Sequence, residues 1–190
     1  MKQPSHTPIF SLEVFPPKRD SPIGTIYDTL DGLEDVDPDF ISVTYGHGTS
    51  SDRTATARIA HTITSEYDIA AVAHLTSQYL SREQADETLE MFEKAGVSAV
   101  LALRGDRDNE REPTGVFEHA SDLAAYIRQT HPDMTILGAC YPECHPQSDT
   151  LDDDIRHLKI KVDAGVTHLI SQLFYDNEDY LRFVDKVRAA

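Results

Sequence analysis

The feature that most constrains this chain is a strict alternation of strand-like and helix-like segments along its 190 residues. Short strand-like runs begin near residues 11, 40, 70, 98, 135 and 168, the first two alternating in period two. Each is followed by apolar residues at helical spacing. Ile23, Ile26, Leu30 and Leu33 predict a helix from about Ser21 to Asp35. Ser or Thr in His47-Gly48-Thr49-Ser50-Ser51 can cap a helix running past Ile63, and Ser81 with Gln84 fits a capping box. Ala85, Leu89 and Phe92 then stripe a helix ending at Gly96. Further helices are predicted over Phe117–Gln129, along Leu151, Ile155, Leu158 and Val162 up to Gly165, and along Tyr180, Phe183 and Val187.

Such alternation with short connections implies parallel strands joined by crossovers. No Gly-x-Gly-x-x-Gly or phosphate loop follows the first strand, so dinucleotide-binding and NTPase forms of α/β lose ground. The expected fold class is α/β, a TIM (β/α)8-type barrel truncated to six β-α units, with residues 1–190 forming a single partial catalytic domain. A closed barrel has eight such units and typically about 250 residues. The expectation is therefore a truncated chain, a partial reading frame or a piece completed by another polypeptide.

In a barrel of this kind chemistry gathers at the C-terminal ends of the strands. Glu13, Thr44, His74, Arg104-Gly105-Asp106, Tyr141, Glu143 and Gln172 all fall in or just beyond those ends. Glu13 lies in Ser11-Leu12-Glu13-Val14-Phe15-Pro16-Pro17, a strand stopped by two prolines. A carboxylate buried there without a partner would tend to stay protonated and serve as a general acid. The plainer reading puts Glu13 on the wet side of an edge strand. Arg104 suits a phosphate, Gly105 permits close approach of a flat ligand, and Asp106 would disfavour added negative charge on a redox ring beside it. An internal Arg104–Asp106 pair is the alternative.

Gln172 reads as a buried strand amide able to donate to and accept from a heterocycle edge, or as a satisfied core amide. His74 reads as a hydrogen-bonded core histidine. A metal site using His74 and His145, as in an aldolase or hydrolase barrel, lacks a third ligand at recognisable spacing. Asp52-Arg53 and Lys161 are either binding groups or solvated charges.

The net charge of −16 argues against nucleic acid, and any anionic cofactor must be met by locally gathered cations. No apolar run approaches bilayer length, and Met1–His6 lacks the apolar stretch of a secretory signal, so no membrane partner and a cytoplasmic location are expected. Cys140 and Cys144 read as ordinary reduced thiols.

Taken together, these stretches resemble the methylenetetrahydrofolate reductase family, the flavoproteins of folate one-carbon metabolism. The resemblance rests on Leu12-Glu13-Val14-Phe15-Pro16-Pro17, Phe40-Ile41-Ser42-Val43-Thr44-Tyr45-Gly46, His74-Leu75-Thr76 and Ala102-Leu103-Arg104-Gly105-Asp106. It continues through Tyr141-Pro142-Glu143-Cys144-His145-Pro146, Lys161-Val162-Asp163-Ala164-Gly165 and Gln172-Leu173-Phe174-Tyr175-Asp176. It implies FAD held at the strand ends. It also implies ping-pong hydride transfer from NADH or NADPH to the flavin and then to 5,10-methylenetetrahydrofolate, giving 5-methyltetrahydrofolate.

By position, Glu13 corresponds to the general acid that opens the folate's five-membered ring to an iminium. Asp106 corresponds to the carboxylate beside flavin and folate, and Gln172 to a folate-contacting amide. Thr44, His74, Arg104, Gly105, Asp106, Ala120, Tyr141, His145, Asp154 and Lys161 fall at flavin-binding positions, with no metal. His119 stands where the family often has a tyrosine beside the flavin. The resemblance further implies a homo-oligomer at full length. A non-catalytic flavin- or folate-binding remnant is the alternative.

Overall fold

The computed structural model describes residues 9–17, 24–33, 36–45, 53–107, 109 and 111–190. The described elements alternate as the periodicity predicts: β1 (Ser11–Val14), α1 (Gly24–Asp31), β2 (Phe40–Val43), α2 (Arg53–Ser65), β3 (Ala70–Thr76), α3 (Arg82–Lys94), β4 (Ala99–Leu103), α4 (Ala120–Thr130), β5 (Thr135–Cys140), α5 (Leu151–Asp163), β6 (His168–Ser171) and α6 (Asn177–Ala189). The predicted helix start at Ser21–Ile23, the His47–Ser51 loop and Asp52 lie outside the described residues.

The six strands form one sheet in the order β1-β2-β3-β4-β5-β6. A doubly wound sheet reverses its strand order at a switch point, whereas a (β/α) barrel adds each strand beside the last. The observed order is of the second kind, and the chain supplies six consecutive units of that architecture.

Two compact units divide the chain: residues 1–74 with 86–98, and residues 75–85 with 99–190. In the first, β1 pairs parallel with β2 and β2 with β3, in a register that aligns Glu13 with Ser42 and Ser42 with Val72. Parallel strands covered on both faces read as continuous apolar runs. Accordingly Ile41, Ser42, Val43, Thr44 and Tyr45 are all buried. From α3, Ala85 falls in the second unit and Leu89 and Phe92 in the first, and all three are fully buried. Burying a side chain the size of Phe92 contributes about 1.5–3 kcal/mol.

In the second unit β4, β5 and β6 pair in parallel register. The capping box forms as predicted, with the Gln84 N–H donating to Ser81 Oγ at 3.2 Å and the Ser81 N–H donating to Gln84 Oε1 at 3.1 Å. Two expectations change. Helix α4 begins at Ala120 rather than Phe117; the Phe117 ring is instead buried ahead of the helix, edge-on to Tyr126 at 5.3 Å. Val162 is 43% exposed, because the inward stripe of α5 continues from Leu158 to Lys161. The Lys161 stem lies over Gly138, where a Cβ would come within 2.9 Å of Lys161 Cδ.

Candidate functional site at the strand ends

In the first unit, period-two alternation and the register place Glu13, Ser42, Thr44, Val72 and His74 on one face. Ser42 and Thr44 are small, and the Ser42 hydroxyl turns back to donate to the Leu12 carbonyl at 3.4 Å. Over them the longer flanking side chains meet, with His74 Nε2 3.5 Å from Glu13 Oε2. The Thr44 carbonyl accepts from the Thr56 hydroxyl of α2 at 3.2 Å, which fixes the end of β2.

Of the two readings of Glu13 the structure shows the wet one and not the buried acid: its side chain is 48% exposed. β1 is the first strand of the sheet and has a neighbour on one side among the described strands, so its carboxylate reaches solvent. The buried partner is His74, at 7% exposure. Burial lowers its pKa from 6.5 to about 4, so the imidazole is neutral at pH 7 and its approach to Glu13 is no salt bridge there. Nor is 3.5 Å a normal hydrogen bond. Nε2 is buried without a hydrogen-bond partner, contrary to the expected satisfied core histidine.

A titration test follows. The unfolded imidazole protonates near 6.5 and the folded one near about 4, so the unfolded chain binds the extra proton between those values. Stability therefore falls as pH drops through that window, by at most roughly 3–4 kcal/mol from this group. Urea unfolding at pH 7 and pH 4.5 should show His74→Phe losing less stability on acidification than the parent. An equal loss would contradict the assignment.

In the second unit β4, β5 and β6 end at Leu103, Cys140 and Ser171, leaving Arg104, Tyr141 and Gln172 just beyond their strands. Gln172 is therefore an exposed residue and not a buried strand amide; its N–H still donates to the Cys140 carbonyl at 2.7 Å, extending the ladder by one bond. The Arg104 guanidinium donates to Gln147 Oε1 at 2.7 Å and to the Gly105 carbonyl at 3.4 Å. Gly105 has φ +87°, and a Cβ there would lie 3.0 Å from Thr76 Cβ. The glycine is thus demanded by backbone and packing as well as by any ligand. Asp106 is exposed beside it.

Beyond β5, the Tyr141 and His145 rings meet edge to face at 4.6 Å. The His145 N–H donates to Asp154 Oδ2 at 2.9 Å, and His145 Nδ1 accepts from the Gln147 N–H at 3.1 Å. Burial pushes the Tyr141 pKa up, aided by Asp154 and Asp106. Burial pulls His145 down against the opposing pull of Asp154. The Lys161 ammonium donates to the Ala139 carbonyl at 2.7 Å; burial lowers its pKa while Asp154 opposes that. Ala120 opens α4, and His119 caps it with an exposed ring and its N–H donating to Asp122 Oδ2 at 2.8 Å.

Sequence reasoning missed Gln78. Its Oε1 is buried without a partner, and among the described residues only His74 Nε2 shares that condition. Both lie at the C-terminal end of β3, the end where this architecture binds ligands. The signal was available, as Ser77-Gln78 is a polar pair directly after an apolar strand. No group of three metal-ligating side chains comes together among the described residues. No described helix is long and apolar enough to cross a membrane. Both cysteines are free thiols, with Cys140 buried.

Comparison with known proteins gives a consistent result. The family model described as methylenetetrahydrofolate reductase matches residues 1–190. "Methylenetetrahydrofolate reductase 1" of Schizosaccharomyces pombe is 37% identical over 95% of this chain and 31% of its own length. "5,10-methylenetetrahydrofolate reductase" of Pectobacterium carotovorum is 37% identical over 93% of this chain and 58% of its own. The chain thus spans between just under a third and somewhat over half of these relatives. A solved structure from Clostridium thermocellum, an uncharacterised protein described as binding two copies of 5-methyl-5,6,7,8-tetrahydrofolic acid, superposes with a TM-score of 0.63 at 13% identity, over 95% of this chain and 60% of that one. At that identity the likeness speaks for the fold alone.

Proposed function

Because this chain belongs to the methylenetetrahydrofolate reductase family, we propose that it carries the flavin and folate machinery of that reaction. The proposed reaction reduces 5,10-methylenetetrahydrofolate to 5-methyltetrahydrofolate with NADH or NADPH, by ping-pong transfer through FAD. The proposal treats residues 1–190 as one partial barrel domain, cytoplasmic, acting on a folate and homo-oligomeric at full length. The observation that carries it is the buried, unpartnered Nε2 of His74 in β3, facing the carboxyl of Glu13.

The donor set suits the cofactor. His74 Nε2 is a buried polar atom without a hydrogen-bond partner, and Arg104 and Lys161 are cations in a chain of net charge −16. Thr44, His74, Arg104, Gly105, Asp106, Ala120, Tyr141, His145, Asp154 and Lys161 are the residues proposed to hold FAD. When bound, FAD supplies the hydride relay between nicotinamide and folate.

The chain's own residues do the rest. Glu13 gives a proton to the folate's five-membered ring, promoting its opening to the iminium; exposure keeps the carboxyl within reach of both substrate and solvent protons. Gln172, beyond β6, offers both an amide donor and an acceptor to the pterin. Asp106 places a negative charge near the redox ring. The backbone bond from His145 to Asp154 and the Tyr141–His145 edge contact hold the β5 loop in shape.

Purified at full natural length, the protein should be yellow, with flavin absorbance that bleaches anaerobically on addition of NADH or NADPH. A colourless protein that takes up no FAD would overturn the reading. Flavin binding without turnover would leave a non-catalytic remnant in its place.

A further inference from the structure

Glu13 and His74 face each other over a strand whose intervening side chains, Ser42 and Thr44, are too short to separate them. The two groups are unequal. Glu13 is on an outer strand of the sheet with a half-exposed, rotatable side chain, whereas His74 is clamped in the middle of a buried strand run. A flexible carboxyl used as a proton donor needs orientation, because misplacing a catalytic group by about 1 Å can cost on the order of 100-fold.

We infer that His74 is a positioning residue for Glu13, a buried imidazole whose Nε2 faces the carboxyl and can serve both the acid and its anion. A neutral imidazole can donate from Nε2 in one tautomer and accept there in the other. It can therefore donate to the carboxylate and, after tautomer exchange, accept from the carboxylic acid. A cation at the same place would hold Glu13 ionised, and an apolar side chain would leave it unheld. Burial supports this use, since it keeps the imidazole uncharged at neutral pH. The inference rests on the proposed role of Glu13 as acid and deepens it.

The experiment is a double-mutant cycle on the full-length flavoprotein, with His74→Leu, His74→Gln, Glu13→Gln and the Glu13→Gln/His74→Leu pair. The readouts are flavin content, flavin reduction by NAD(P)H and reoxidation by 5,10-methylenetetrahydrofolate. Per bound flavin, His74→Leu should slow reoxidation about 10- to 100-fold with a much smaller change in folate KM. The amide of His74→Gln should recover most of that rate. In the Glu13→Gln background His74→Leu should cost little more, because the two act as a unit.

A second readout needs no turnover. The ¹⁵N shifts of the His74 ring should report a neutral imidazole whose tautomer balance changes in Glu13→Gln. Full additivity of the two substitutions, or loss of flavin that accounts for the whole rate effect, would overturn the inference. So would ring shifts indifferent to Glu13→Gln, which decide the matter should His74→Leu not fold. If Glu13→Gln itself leaves reoxidation unchanged, it is the role of Glu13 that fails. If only the His74 variants are silent, the positioning role fails alone.

Discussion

Glu13→Gln should lower the rate at which 5,10-methylenetetrahydrofolate reoxidises the reduced flavin by about 10²–10⁴-fold, the usual worth of a positioned general acid. The amide keeps the volume of the carboxyl and its approach to His74 Nε2, so packing around β1 is preserved. What it lacks is a proton to give. Flavin reduction by NADH or NADPH makes no use of that proton and should remain within a few-fold of the parent. Anaerobic stopped-flow on the two half-reactions separates these outcomes. Slowing both equally would point to a disturbed flavin site, and slowing neither would remove Glu13 from the chemistry. In the proposed role, the exposure of Glu13 would let the carboxyl be reprotonated from solvent between turnovers without a buried relay.

Gly105→Val is the substitution with the largest expected effect on stability among those at the strand ends. The residue has φ +87°, and the nearest atom to an added Cβ would be the branched Cβ of Thr76 at 3.0 Å, which cannot swing aside. A non-glycine residue in such a backbone state costs about 1–3 kcal/mol. Overpacking against a neighbour adds roughly 1–3 kcal/mol. Urea unfolding should show the midpoint falling by a matching amount with little change in the denaturant slope. Flavin affinity should fall too, since Arg104 bonds the Gly105 carbonyl and its aim depends on that turn. A midpoint equal to the parent's would mean that this turn relaxes freely.

Much of this architecture was legible in the sequence because parallel β-α units alternate short strand-like runs with helical stripes. The strands start at or beside the predicted positions, and Ala85, Leu89 and Phe92 are buried as the helical stripe requires. What could not be read was depth at the two ends of the sheet. Glu13 is readable either way and Gln172 looks buried, because their neighbours in sequence are apolar. They belong to the first strand and to the residue after the last, and burial there depends on what covers those strands rather than on local pattern.

Lys161 illustrates a second limit. A lysine beside Val162 in a helical stripe reads as solvated, yet it turns inward because Gly138 on the facing strand leaves a groove for its stem. Only the pairing of distant residues shows that. His74 was legible as buried but not as unsatisfied, since the size of Ser42 and Thr44 beside it decides which partner it can face.

The most direct test is the flavin's reoxidation by folate. The full-length protein is reduced anaerobically with NADH or NADPH, freed of excess donor, and mixed with 5,10-methylenetetrahydrofolate. Flavin colour should return with one 5-methyltetrahydrofolate formed per flavin oxidised. A flavin that stays reduced while the folate is recovered unchanged would contradict the account.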